Sequence, residues 1–261
     1  MSSKIDPRSA VSSKAQLGDN VTVGPFAVIE DDVVIGDGTT IGPNAYIADG
    51  ARIGKECYIH HGASISSVPQ DLKFAGEKTT AEIGDKTVAR EFVTVNRGTV
   101  AHGKTTVGTN CFMMAYAHVA HDCEVGNHVI LANSVNMGGH VVIEDHAIIG
   151  GLVAIHQWSK IGCHAMIGGG FRVTKDVPPY ALAGSQPLVF EGLNSLGLRR
   201  RNFSPQSIAA IEAAYNTIYH GQLNVSQALQ KLREQNLIDE VRHIVEFIAS
   251  SERGIIPSFR R

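Results

Sequence analysis

The chain has few aromatic residues, 6% of 261, and a single Trp. It carries almost no net charge, -2 at neutral pH, and only four Cys, with no Cys-X-X-Cys pair. No apolar run approaches the roughly 18–20 residues that a membrane-spanning helix needs. Each absence excludes something. Balanced charge argues against nucleic acid as the main partner. The missing apolar run excludes an integral membrane helix. The opening MSSKIDPRSA lacks the apolar core of a secretory signal, so a cytoplasmic location is expected. Scattered Cys offer neither a disulfide framework nor a zinc ribbon. Gly, by contrast, is abundant at 27 residues, and 43% of the chain is hydrophobic. Many tight turns around a core of small and aliphatic side chains are expected.

An internal repeat accounts for that composition. Stepping by six from Ile5 gives Val11, Leu17, Val23, Ile29 and so on to Val173, with a large aliphatic residue in 25 of 29 slots. The exceptions are Asp71, Glu77, Ala89 and Ala101. Four residues after each aliphatic stands a small or β-branched one, such as Ala27, Ala45, Ala63, Ala117 or Ala147, and one residue after it often stands Gly. A helix wants a period near 3.6 and a lone strand a period of 2. A period of six with Gly at the turns means short strands joined by corners and stacked as a parallel β-helix. Three hexapeptides make one triangular coil. Cys57, Cys111 and Cys123 fall in the small inward slot, where a thiol packs as a small hydrophobe.

Two segments break the repeat, 66–82 and 97–106, and both are expected to be loops thrown out from the coil. Each could be a tolerated surface insertion or a functional loop on a rigid scaffold. After Val173 the repeat fades, and the remainder reads as helical. Ser204-Pro205 has the signature of a helix start, Asn224 to Gln235 suggests a second helix, and Ile238 to Ile248 a third that ends near Gly254. The division is a β-helix over 1–189 and an α-helical domain over 190–261, whose basic cluster is Arg199, Arg200 and Arg201.

The 18-residue coil period sorts the twelve His. One edge collects His121, His140, His156 and His102, with His118 just before the corner; His102 and His156 fall where the repeat elsewhere has Gly. Asp122 follows His121, and Gly138-Gly139 lie one coil on. Two chemistries fit. One imidazole could act as a general base, oriented by Asp122, with backbone N–H groups at the Gly pair for developing negative charge. Three imidazoles could instead hold zinc with an open position. A second ladder, His128, His146 and His164, has strict 18-residue spacing on another corner and reads as an exposed or interface-facing stack.

At these residues the chain closely resembles the bacterial UDP-N-acetylglucosamine O-acyltransferases of lipid A synthesis. The resemblance runs over nearly the whole chain and is carried by QDLKFAGE (70–77), AHVAHDC (117–123), GGHV (138–141), IIGGLVAIHQ (148–157), DVPPY (176–180) and NSLGLRRRNF (194–203). It implies a left-handed parallel β-helix with a small α-helical C-terminal domain, assembled as a homotrimer with active sites between subunits. It implies transfer of a 3-hydroxyacyl group from acyl carrier protein to the glucosamine 3-hydroxyl of UDP-N-acetylglucosamine, with neither cofactor nor metal.

By the same resemblance His121 is the base, Asp122 holds it, and Gly139 donates to the oxyanion. Asp71 and Lys73 bind the sugar nucleotide, while His118, His140, His156 and Gln157 surround the sugar and acyl chain. Asn194, Arg200 and Arg201 hold the uridine diphosphate. The acyl-length ruler maps to Gly169, whose missing side chain implies a long acyl chain. Asn96, Leu196 and Pro187 depart from the family pattern, at positions where His, Glu and His are expected. Three rivals differ in what they require. The N-acyltransferase of the same pathway carries an additional N-terminal domain, whereas here the repeat starts within the first residues. A carbonic-anhydrase-like enzyme would bind zinc or iron, and a non-catalytic β-helix would show regular outward Thr ladders.

Overall fold

A computed structural model describes residues 3–259, so the first two residues of the opening segment and the last two of the tail lie outside it. The chain winds as a left-handed parallel β-helix whose short strands line up into three sheets. The first sheet has eleven strands, among them 112–113, 130–131, 148–149 and 166–167; the second has nine, including 118–119, 136–137 and 154–155; the third has eight, including 124–125, 142–143 and 160–161. Strands pair in register eighteen residues apart, as in Phe112 with Ile130 and Ile130 with Ile148. From Val23 on, the aliphatic at each step of six points inward, so Ile29, Ile47, Ile65, Leu131, Met137 and Ile149 are buried in one core.

The corners obey two rules that composition hinted at only loosely. First, the third residue after most of these aliphatics adopts positive φ, and it is seldom Gly: Asn20, Phe26, Asn110, Asp122, His140 and Trp158 all do so. Second, Gly follows the aliphatic where the next coil's backbone comes too close for a side chain. A Cβ on Gly108 would lie 2.5 Å from the Gly126 carbonyl oxygen. This second rule binds the corner between the third and first sheets, where Gly18, Gly36, Gly54, Gly84, Gly108, Gly126 and Gly162 stand in line. At the corner after the second sheet the same slot holds Gly only at Gly138, and elsewhere residues such as Ser12, Glu30, Ala48, Ser66, Asn96 and Ala120. His156 therefore displaces no required glycine, and His102 lies in a loop between strands, outside the corner slots altogether.

Both interruptions leave the second sheet and re-enter at the third. Across them the register steps grow, Ile65 pairing with Val95 and Val95 with Val119. The steps of 30 and 24 exceed 18 by two hexapeptides and by one, so the inward phase survives both excursions. The tail begins differently from its helical reading. Ala181–Gly184 and Val189–Leu193 form an antiparallel hairpin that extends the first sheet, Met166 pairing with Leu182. A division at 189/190 runs through the second strand of this hairpin. Four helices follow: α1 (Ser195–Arg200), α2 (Pro205–Tyr219), α3 (Val225–Arg233) and α4 (Asp239–Ala249). Ser204 caps α2, and Asn224 with Gln227 forms a capping box on α3. Short α1 lacks a periodic apolar stripe, which is why pattern reading missed it. After α4 the chain returns to bridge Phe190 at Ser258.

Candidate active site

The corner between the second and third sheets gathers most of the expected residues. His121 and Asp122 lie on one coil, Gly138, Gly139 and His140 on the next, and His156 and Gln157 on the one after; both loops spring from the same corner below them. Asp122 is 1% exposed and its carboxylate is fully engaged. Oδ1 accepts the Thr99 N–H at 2.9 Å and the His102 N–H at 3.3 Å; Oδ2 accepts the Thr99 hydroxyl at 2.7 Å and lies 2.8 Å from His121 Nδ1. The Asp122 N–H donates to the Thr105 hydroxyl. Burial opposes ionisation of this carboxyl, but the bonds from Thr99 and His121 outweigh it and hold it below its ordinary range. An ionised Asp122 fixes the proton of neutral His121 on Nδ1 and leaves the lone pair on Nε2.

Two further imidazoles, His118 and His140, flank this pair. Burial lowers the pKa of His140 more than the opposing pull of Asp122 raises it, and burial, reinforced by His121, does the same for His118. His140 Nε2 is 3.8 Å from Asp122 Oδ2, and its ring stands edge-on to His121 at 5.2 Å. Trp158 lies flat on His140, centroids 3.8 Å apart and planes 3° from parallel. His140 Nδ1 is buried without a hydrogen-bond partner among the described residues. His118 Nδ1 meets the Thr94 hydroxyl at 2.7 Å, and exposed His156 turns its Nδ1 to the Gln157 carbonyl at 2.9 Å. A Cβ on Gly139 would lie 2.5 Å from His121 Cε1 and 2.7 Å from Nε2. The Gly139 backbone thus lines the reactive edge of that ring.

The first loop reaches toward this corner. Asp71 is near enough to raise the pKa of His140, though less than burial lowers it. Asp71 Oδ1 accepts the Lys73 N–H at 3.0 Å, and exposed Lys73 follows a fully exposed Leu72. Asn96, the departure from the family pattern, holds the base of this loop by donating to the Val68 carbonyl at 3.2 Å.

The remaining expected residues lie elsewhere on the chain. Asn194 caps α1, accepting the Gly197 N–H and donating to the His164 carbonyl at 3.0 Å. One N–H and one lone pair of its amide are left for a ligand. Arg200 is exposed; Arg201 borders a groove of about 710 Å³ at the corner between third and first sheets, lined by Phe112, His128, Ile130, His146 and His164. Arg201 Nη1 is buried there without a hydrogen-bond partner among the described residues, and burial lowers the pKa of its guanidinium. The second His ladder thus lines a cleft that ends in an arginine. Gly169 stands at the third corner, against Gly151. One chain therefore distributes the predicted residues over all three corners of the prism.

Thr99 and Trp158 escaped the sequence reading. Thr99 lies in a loop off the repeat, where no register leads to it. Trp158 follows His140 by eighteen, so the coil period could have named it. His121, Asp122 and His140 also have donor atoms within 4.8 Å of one another, close enough to share a metal ion. The Asp122 oxygens, however, already accept four donors, and a metal would have to displace some of them.

Comparison with known proteins places the chain as a whole. A family model described as UDP N-acetylglucosamine O-acyltransferase, domain 2, matches residues 176–256, and one for bacterial transferase hexapeptides matches 32–67 and 104–139. The acyl-[acyl-carrier-protein]--UDP-N-acetylglucosamine O-acyltransferase of Stenotrophomonas maltophilia is 44% identical over 256 residues, 97% of both chains. The enzyme of that name from Xanthomonas oryzae is 49% identical over 255 residues, again 97% of both. A crystal structure of a UDP-N-acetylglucosamine acyltransferase from Bacteroides fragilis superposes with a TM-score of 0.94 at 47% identity, covering 96% of this chain and 99% of the other. Among the described residues, no helix is long and apolar enough to cross a membrane.

Proposed function

The chain belongs to the UDP-N-acetylglucosamine O-acyltransferase family, and from that premise we propose how its corners divide the family's reaction. It is an acyltransferase that moves an acyl group from acyl carrier protein to a hydroxyl of UDP-N-acetylglucosamine, the first step of lipid A synthesis. In our reading the acyl group is a 3-hydroxyacyl chain and the acceptor is the glucosamine 3-hydroxyl. His121 Nε2 removes the hydroxyl proton as the oxygen attacks the thioester carbonyl, and the Gly139 N–H donates to the oxyanion. As the intermediate collapses, the C–S bond breaks and the imidazolium returns its proton to the departing thiolate. The observation that carries this is the Asp122 carboxylate, buried, held by Thr99 and 2.8 Å from His121 Nδ1. It orients the ring and stabilises the imidazolium formed midway.

Asp71 and Lys73 bind the sugar nucleotide, and His118, His140, His156 and Gln157 surround sugar and acyl chain. Arg201, whose buried Nη1 has no hydrogen-bond partner among the described residues, suits a diphosphate together with Arg200 and Asn194. Gly169 bounds the acyl groove and leaves room for a long chain. Arg201 and Gly169 flank the first sheet, while His121 lies on the opposite corner. A cytoplasmic homotrimer that sets the His121 corner of one copy against the first sheet of the next would unite them in one cleft.

The direct test incubates purified protein with UDP-N-acetylglucosamine and 3-hydroxyacyl carrier proteins of graded length, with products read by mass spectrometry. A mono-acylated nucleotide sugar, formed fastest with a long donor, is expected. No product with any donor would overturn the reading. Light scattering on the same sample should give three times the chain mass.

A further inference from the structure

A second cluster of metal-ligating side chains lies outside the His121 corner. Glu144, Cys163 and His243 present ligand atoms all within 4.8 Å of one another. Glu144 and Cys163 come from successive coils at the corner between third and first sheets; His243 comes from α4. Glu144 Oε2 lies 2.7 Å from His243 Nε2 and accepts the Cys163 N–H at 2.8 Å.

The repeat makes this cluster conspicuous. At this corner the slot after the aliphatic is Gly18, Gly36, Gly54, Gly84, Gly108 and Gly126, and then Glu144. The slot after that is commonly an Asp or Asn, whose side chain accepts a backbone N–H from the coil before. Asp37 does so for Asp19, Asp85 for Lys55, Asn127 for Thr109 and Asp145 for Asn127. At the next coil Cys163 takes that place, and no carboxylate continues the ladder. Glu for Gly and Cys for Asp, on adjacent coils, exchange a working scaffold bond for a thiol and a carboxylate beneath a helix that supplies an imidazole. Cys163 is also set apart from the other thiols, being the one Cys not fully buried. Cys57, Cys111 and Cys123 each turn Sγ to a backbone carbonyl inside the coil.

We infer that Glu144, Cys163 and His243 bind a Zn²⁺ ion that fastens the helical unit to the coil. One thiolate, one imidazole and one carboxylate form a donor set that suits zinc. A tetrahedral zinc ion spaces its donors roughly 3.3–3.7 Å apart, a rearrangement of about an ångström from the present positions. Half-exposed His243 and Glu144 leave water access for the fourth ligand. Contacts to Cys163 and Glu144 raise the pKa of His243 to about 10, so binding replaces the His243–Glu144 hydrogen bond and releases two protons, one from the thiol and one from the imidazolium.

Co²⁺ titration of the purified, chelator-treated full chain tests this. One equivalent per chain should produce a thiolate-to-cobalt charge-transfer band, and Zn²⁺ should bleach it. Cys163→Ser should abolish the band. His243→Gln should weaken binding by more than the roughly 10- to 100-fold that an outer-sphere partner is worth, and it serves equally if the serine variant fails to fold. His121→Ala should leave band and stoichiometry intact. Absence of a band would overturn the proposal and leave the trio a hydrogen-bonded clasp. A band that survives Cys163→Ser, or is lost with His121→Ala, would overturn it as well.

Discussion

Two corners of the same prism carry histidines at the same eighteen-residue spacing, and they differ in nearly everything else. At the corner after the second sheet, His121 and His140 stand edge to face, planes 90° apart, around a buried carboxylate. At the corner after the third, His128, His146 and His164 stack almost flat, planes 12° and 23° apart, with centroids 4.6 and 4.7 Å apart. No carboxylate hydrogen-bonds any of these three rings among the described residues. The backbone explains the contrast. All three ladder residues occupy the positive-φ slot, so their rings leave the coil in parallel. At the other corner that slot holds Asp122, His140 and Trp158 in succession, and His121 comes from the residue before it. Varying the residue type in that slot replaces a stack with a buried carboxylate, an imidazole and an indole that lies flat on it. Histidine spacing alone therefore identifies no chemistry; the neighbour in the left-handed slot does.

The largest expected break in this comparison is His121→Ala. Turnover should fall by roughly 10²- to 10⁴-fold, the range that a positioned base contributes, while the thermal melting curve stays near wild type, because the ring is not part of the core. Replacing His128 should cost far less in the same assay. Next in size is Gly139→Ala. Its new methyl would fall 2.5 to 2.7 Å from His121 ring atoms, so the imidazole must move. An ångström of misplacement costs on the order of 10²-fold, and the loss should appear in kcat more than in KM. An alanine variant with wild-type kcat would mean that Gly139 does not lie against the working position of His121.

Much of this was legible in the sequence, for a physical reason. A β-helix repeats its steric demands every six residues, so the inward column and the coil number of every residue follow from counting. That counting brought His121, His140 and His156 to one edge and separated them from the second ladder. It also kept its phase through both loops, because each adds whole hexapeptides. Counting failed where the chain leaves the coil. Thr99, the main partner of Asp122, and Asn96, which pins the first loop at Val68, act from or beside loops with no register of their own. Reading His156 as a displaced Gly misjudged its corner: the slot after the aliphatic there also holds Ser12, Glu30, Ala48 and Ala120, whereas at the corner between third and first sheets it is Gly on seven coils and departs only at Glu144. The hairpin at 181–193 stayed hidden because its strands pair antiparallel and lack the sixfold step.

Asp122→Asn should sharpen the contrast in a different currency from His121→Ala. The carboxylate accepts four donors, and an amide offers one oxygen and turns its NH₂ toward groups that also donate. About 1–3 kcal/mol of stability should go, read as a lower melting temperature, together with a fall in kcat from loss of the imidazole's orientation. If Asp122→Asn melts like wild type, the Thr99 clamp contributes nothing to the fold, and the two corners differ in chemistry alone.

The smallest effect belongs to the stacked corner and is one of pH. Burial, with help from His146 and Arg201, lowers the pKa of His164 from 6.5 to about 4. In the unfolded chain this ring takes a proton as pH falls through 6.5; in the folded chain it does so only near 4. Between those values the unfolded state holds more protons, so stability falls with falling pH. The contribution is complete above 6.5 and gone below about 4. His164→Gln should flatten the decline of melting temperature across that window, in part only, because half-buried His118, His140 and His146 shift in the same direction. Asp122, held below the ordinary carboxylate range, keeps its charge until more acid values, so Asp122→Asn should lower the whole curve without changing its slope there. Equal slopes for His164→Gln and wild type would mean that the stacked ladder is solvated enough to protonate in place.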